Sequence, residues 1–272
     1  MCYSLELETN LKKIQQDLSA SINIKELEYL KKHQLNNKKP LKITNKDQSR
    51  IYPGYYTYVL CLKESDFHLT PMRYGIFPPS FTTQNKKTNL IYNTRSESLL
   101  HKFWSESFGQ QHGLIVAKGF YEWVNIVSYV NSNDIELEQV KQHLEKLKEK
   151  RRKFWLNKPY NNHFKLTPNE EKPLNKRKIL VYFYPSNNEF LYIPTLFNKN
   201  CSNNLKGFSV LTKNTDIEIN TIEHSRMPIS LEKNQALKWL ETSTINLQSC
   251  AEKISAISVK RKFQNIIPQD IH

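Results

Sequence analysis

Residues 112–124, His-Gly-Leu-Ile-Val-Ala-Lys-Gly-Phe-Tyr-Glu-Trp-Val, form an almost continuous apolar run that Gly119 interrupts. A run so rich in apolar and aromatic side chains reads as a strand, with Gly119 marking a bend or a close backbone approach. Shorter stretches have the same character. In "YYTYVLCL" Tyr56, Tyr58, Leu60 and Leu62 alternate with their neighbours, and "MRYGIFPPSF" runs into a Pro-Pro corner that excludes helix. "ILVYFY", "FLYIPTLF", "GFSVLT" and "ISAISV" continue the pattern. Helical spacing is confined to residues 11–18, 24–33 and 235–240, a start near Ser96, and a 3-4-3 pattern at Leu137, Val140, Leu144 and Leu147. Many short strands with few helices and no alternating βαβ rhythm predict an α+β fold. Mainly antiparallel sheet should form one domain with peripheral helices. Residues 125–178, charged and then Pro/Asn-rich, read as a helical and loop insertion within it.

The formal charge of the 272-residue chain is +14, which favours polyanionic partners, nucleic acid first. Cys2, Cys61, Cys201 and Cys250 are scattered without CxxC spacing, so neither a zinc site nor a disulfide framework is expected. No apolar run approaches the roughly 20 residues that span a bilayer, and no signal segment opens the chain. A soluble intracellular monomer without metal or organic cofactor is therefore expected. The basic cluster from Lys148 to Lys153 reads as a nuclear-import signal if the cell has a nucleus, as a nucleic-acid contact, or as a solvated helix end.

Four short segments stand apart: Met1-Cys2-Tyr3-Ser4, Tyr-Asn93-Thr-Arg95-Ser-Glu, Gly-Phe-Tyr-Glu122-Trp and His224-Ser-Arg226-Met-Pro. Together with Arg73-Tyr74-Gly75-Ile76, and in this order, they resemble the SRAP family, proteins that sense abasic sites in DNA by crosslinking to them. That family's pattern is Met-Cys-Gly-Arg, Arg-Trp-Gly-Leu, Asn-Ala-Arg-x-Glu, Gly-Phe-Tyr-Glu-Trp and His-x-Arg-Met-Pro. The resemblance implies one active site containing Cys2, Asn93, Glu122 and His224. It also implies contacts to single-stranded DNA from Arg73, Arg95 and Arg226, with Tyr74 and Phe81, standing at the family's Trp positions, as base-stacking or core aromatics. The family's Gly and Arg after the cysteine are Tyr3 and Ser4 here. That change adds bulk beside the nucleophile and removes a phosphate contact.

The residues support such chemistry on their own terms. Removal of Met1 leaves Cys2 with a free α-amine beside its thiol. An α-amine with a pKa of about 7.7–8.0 is partly neutral at physiological pH and attacks the aldehyde of a ring-opened abasic sugar. The imine then lies next to the thiol, which closes a thiazolidine ring intramolecularly. His224 suits the proton transfers, and Glu122, among aromatic neighbours, should have a raised pKa and serve as a second proton shuttle. Asn93 offers hydrogen bonds in both directions. Two other activities use the same residues. One is thiol-dependent peptidase or self-processing chemistry with Cys2 as nucleophile and His224 as base, and lyase chemistry belongs with the crosslinking reading. The other is a non-catalytic module that only binds single strands.

Overall fold

Alternation along residues 56–62 becomes a hairpin whose two arms register residue by residue from Tyr56 opposite Arg73 to Lys63 opposite Asp66. The turn consists of Glu64 and Ser65, both at positive φ, as a two-residue hairpin turn with the strands' right-handed twist requires. In the computed structural model the described residues are 4–36, 41–44, 48–76, 90–104, 107–127, 137–156, 168–185, 190–199, 206–214, 226–241 and 259–263. The expected strand at 254–259 falls outside them except for Val259, as do Cys2, Phe81 and His224.

Two compact units are distinguished. The first comprises Met1–Tyr121, Phe183–Asn214 and Arg226–Lys260; the second comprises Glu122–Tyr182, Thr215–Ser225 and Arg261–His272. In chain order the elements are β1 (Ser4–Leu7), α1 (Leu11–Leu18), β2 (Ser21–Ile22), α2 (Ile24–Asn36), β3 (Arg50–Ile51), β4 (Tyr56–Lys63), β5 (Asp66–Tyr74) and β6 (Asn93–Arg95). They continue as β7 (His112–Asn125), α3 (Leu137–Leu156), β8 (Lys178–Pro185), β9 (Leu191–Lys199), β10 (Lys206–Asn214), β11 (Arg226–Pro228), α4 (Lys233–Glu241) and β12 (Val259–Phe263). The fold is α+β with mainly antiparallel pairing, as expected.

In the first unit the ladder closes on itself. β4 pairs with β5, β5 with β10, β10 with β9, β9 with β7, and β7 returns to β4. Only the β5–β10 step of this ring is parallel. Closure removes the unpaired edges that an open sheet would present. Period-two alternation then sorts the side chains. Val59, Thr70, Met72, Ile115, Ile193 and Thr195 fill one face and are 0–1% exposed. Leu60, Leu69, Leu114, Leu196 and Leu211 turn to the other face, where α1 adds Ile14 and Leu18 and α4 adds Trp239. α1 is capped by Asn10, whose side chain accepts from the Lys13 N–H, and ends at Ser19 in the left-handed conformation.

β10 meets two parallel partners in succession. Gly207 and Phe208 lie opposite Arg73 and Tyr74 of β5, and Val210 to Thr212 lie opposite Asn93 to Arg95 of β6. β6 therefore resumes the line that β5 leaves at Gly75. The changeover requires close backbone approach, since a Cβ on Gly207 would lie 2.5 Å from the Gly75 carbonyl oxygen. Gly75 itself has φ +116, and its N–H donates to the Phe208 carbonyl at 2.7 Å.

β1 lies antiparallel on the far part of β7, with Ser4 opposite Tyr121, and β3 flanks its other side. A bulge interrupts this pairing, because Glu6 faces Gly119 whereas Leu7 faces Ala117. The extra residue is Lys118, directly beside the Gly119 expected to mark a bend or close approach. The helix start expected near Ser96 is not an α-helix. Two short 3₁₀ turns, Ser96–Ser98 and Lys102–Trp104, occupy the segment, and no side chain caps the first of them.

In the second unit α3 buries Val140 and carries the basic cluster on its last two turns, where Lys148 pairs with Glu145 and Arg152 with Glu149. There too the Ile126 N–H donates to the Arg177 carbonyl at 3.1 Å. Among the described residues no helix is long and apolar enough to cross a membrane.

His112 fastens α4 to the ring. Its Nε2 accepts from the Gly109 N–H at 2.8 Å, so Nδ1 carries the proton and donates to the Trp239 carbonyl at 2.9 Å. The imidazole stacks on the Trp239 indole at 4.0 Å, and the indole N–H donates to the Gly113 carbonyl. Burial pushes the His112 pKa below its ordinary 6.5. Below that value the unfolded chain takes up a proton that the native state refuses, so stability should fall as pH drops from 6.5 toward the native pKa. Urea melts of wild type and His112→Asn should show that this slope is lost in the variant. In the same assay Gly207→Ala should cost about 3 kcal/mol through overpacking against backbone. Gly54→Ala, at positive φ but with no atom within 4 Å, should cost only about 1 kcal/mol.

Candidate functional site

β6 and β11 flank the same end of β10, and an ion pair joins them. Arg226, 7% exposed, donates to both carboxylate oxygens of Glu97, from Nη1 at 2.5 Å and from Nη2 at 3.0 Å. Its remaining directions are also used: Nε to Thr212 Oγ1 at 3.3 Å, Nη2 to the Thr212 carbonyl at 2.9 Å, and Nη1 to Asn214 Oδ1 at 3.1 Å. Thr212 passes the link on by donating to the Thr94 carbonyl at 3.2 Å, and Thr94 and Ser209 hydroxyls lie 2.6 Å apart. The guanidinium holds the Glu97 carboxyl below its ordinary 4.5.

This network fixes the segment that carries Asn93. Both polar atoms of the Asn93 amide are buried, and neither has a hydrogen-bond partner. A buried amide in that state costs about 1–3 kcal/mol unless a bound group satisfies it. Arg95, two residues on, is exposed. Arg73 at the end of β5 is half-buried, and burial lowers its pKa while the adjacent Tyr56 opposes that shift.

Tyr74 is 0% exposed and stacks on Phe208 at 5.1 Å with Tyr92 edge-on at 6.0 Å. Of its two expected roles, core packing is the one the structure supports. Its ring offers no face to a base, because a core neighbour already covers it. Arg226 also departs from the role of a phosphate contact, since its donors converge on Glu97, Thr212 and Asn214. Glu122, in the second unit, is 2% exposed on β7. Of the expected site residues, the structure brings Asn93, Arg95 and Arg226 together around β10, while Cys2 and His224 lie outside the described residues.

Sequence reasoning overlooked Glu97. It was visible as the acidic end of the segment that begins at Asn93, and its partner is the arginine of the last motif. Among the described residues no group of three or more His, Cys, Asp or Glu side chains is placed to hold a metal ion.

A closed, mainly antiparallel ring with an ion-paired strand end and a bare buried amide characterises this α+β domain. The chain belongs to the SOS response associated peptidase (SRAP) family, whose model matches residues 1–266. Two solved structures share the fold. A protein from Bacteroides thetaiotaomicron is 13% identical with a TM-score of 0.58, covering 96% of this chain and 91% of that one. A protein from Bordetella bronchiseptica is 13% identical with a TM-score of 0.53, covering 97% and 99%. A search of curated proteins found no match.

Glu97 is half-exposed, but its removal leaves the buried Arg226 guanidinium short of two acceptors. Glu97→Gln should therefore lower unfolding stability by about 1–3 kcal/mol, and Arg95→Ala by less than about 0.5 kcal/mol. The Glu97 contribution is present above the unfolded pKa near 4.5 and disappears as pH falls through the lower native value. Denaturant melts at pH 7 and pH 3 should show the wild-type and Glu97→Gln curves converging in acid.

Proposed function

We propose that the protein binds single-stranded DNA and captures abasic sites covalently through Cys2 after Met1 is removed. The observation that carries this reading is Asn93, a buried amide held in place by the Arg226–Glu97 network with no protein partner of its own. Such a group is suited to a ligand that presents both hydrogen-bond donors and acceptors, as a ring-opened sugar does.

In the proposed reaction the neutral α-amine of Cys2 attacks C1′ of the open-chain sugar, and the carbinolamine loses water to give an imine. The thiol sulfur adds to the imine carbon while the thiol proton ends on nitrogen, closing the thiazolidine. The net change is loss of one water, with no oxidant or cofactor required. His224 and Glu122 are proposed to move the protons, and Asn93 to orient the sugar. Arg95, exposed on β6, is the proposed phosphate contact. The +14 charge favours the encounter and makes it salt-sensitive, with a log–log slope of about −0.7 per neutralised phosphate.

Incubation with a single-stranded oligonucleotide carrying one abasic site should give an adduct that survives denaturing electrophoresis, absent for Cys2→Ala. Identical behaviour of the two proteins rejects the reading. Salt-sensitive binding without adduct would support the binding-only activity, and N-terminal self-cleavage that depends on Cys2 the peptidase one. Asn93→Ala should slow adduct formation by about 10²-fold and leave unfolding stability unchanged or slightly raised, since the wild-type amide is unsatisfied.

A further inference from the structure

A chain terminus ordinarily frays, and a nucleophile on a fraying terminus loses the orientation that makes an intramolecular-like reaction fast. Here Ser4, the first described residue, is already 0% exposed. What holds it there is a side chain from β3. The Arg50 Nε donates to Ser4 Oγ at 2.8 Å, and the guanidinium lies 3.8 Å above the Tyr121 ring, with the Tyr52 ring 5.1 Å away. Tyr121 in turn donates its hydroxyl to Glu6 Oε2 at 2.8 Å, and Ser49 donates to Glu6 Oε1. Hydrogen bonds and ring contacts thus lock the start of β1 against both of its neighbours.

We infer that Arg50 is a positioning residue that fixes the start of β1, two residues after Cys2, for attack on the bound lesion. The inference rests on the crosslinking reading above. Arginine suits the task where lysine would not, because a planar fork stacks on an aromatic face and donates in-plane at the same time. Two residues of extended chain span about 7 Å at most, so immobilising Ser4 confines the region that the Cys2 amine and thiol can sample. Arg50 acts through Ser4 and Tyr121 and forms no bond with the lesion in this account. Its loss should slow the reaction and leave affinity for the strand unchanged.

Single-turnover crosslinking to abasic single-stranded DNA, measured against protein concentration, separates the two. Arg50→Gln should lower the maximal rate about tenfold with the half-saturating concentration unchanged within about twofold. Ser4→Ala removes only the acceptor oxygen from a buried site that alanine fits. It should lower the rate in the same sense by a smaller factor, and it serves as the second variant should Arg50→Gln fold poorly by thermal melting. Condensation of the N-terminal cysteine with glyoxylate, a small aldehyde that needs no positioning, should be the same for all three proteins. Wild-type maximal rates in both variants overturn the inference, as does a loss confined to half-saturation, which would make Arg50 a strand contact. A wild-type protein that condenses with glyoxylate and yet gives no adduct with abasic DNA fails the crosslinking reading itself, and the role of Arg50 falls with it.

Discussion

One strand with two successive parallel partners organises the first unit. β10 must lie against β5 and then against β6, and the backbone at the changeover comes so close that Gly207 admits no Cβ. From that junction follow the closing of the ring through β9, the placing of β6 beside β10, and the meeting of β6 with β11. β5 ends at Tyr74, and β6 takes up the parallel pairing with β10 at Asn93. The candidate site is thus a consequence of where the sheet was interrupted, and the interruption is a steric fact about two glycines.

The Arg226–Glu97 pair is the polar counterpart of that junction. A guanidinium at 7% exposure is costly unless every donor finds an acceptor, and here a carboxylate, a carbonyl, a hydroxyl and an amide oxygen provide them. The pair holds together two segments 129 residues apart in sequence. Asn93 shows the opposite economy, a buried amide left unsatisfied beside a fully satisfied arginine. That contrast is the ground for the binding role proposed for Asn93, since a preorganised site bears the desolvation in advance. Arg50 extends the same logic to the start of β1, where ring stacking and one hydrogen bond hold Ser4.

How much of this was legible beforehand depended on the range of the interaction. Strand β4, helix α1 and the irregularity beside Gly119 follow from alternation, helical spacing and glycine placement, all local signals. The 3₁₀ turns at Ser96–Ser98 and Lys102–Trp104 were misread as a helix. Glu97, in the first of those turns, instead answers to a partner 129 residues away. Tyr74 had a base-stacking and a core reading of equal standing from its motif, and only the packing of Phe208 against its ring resolves them.

By itself the sequence determined the fold class, the family and the residue types available for aldehyde chemistry, because strand periodicity and short motifs are written in neighbouring positions. Only the tertiary structure decided which motif residues are engaged and which are bare. Arg226 is engaged by Glu97, Ser4 is pinned by Arg50, and Asn93 is left without a partner. The physical reason is that hydrogen-bond satisfaction and burial are properties of side chains brought together across the fold. No spacing along the chain reports which donor will meet which acceptor.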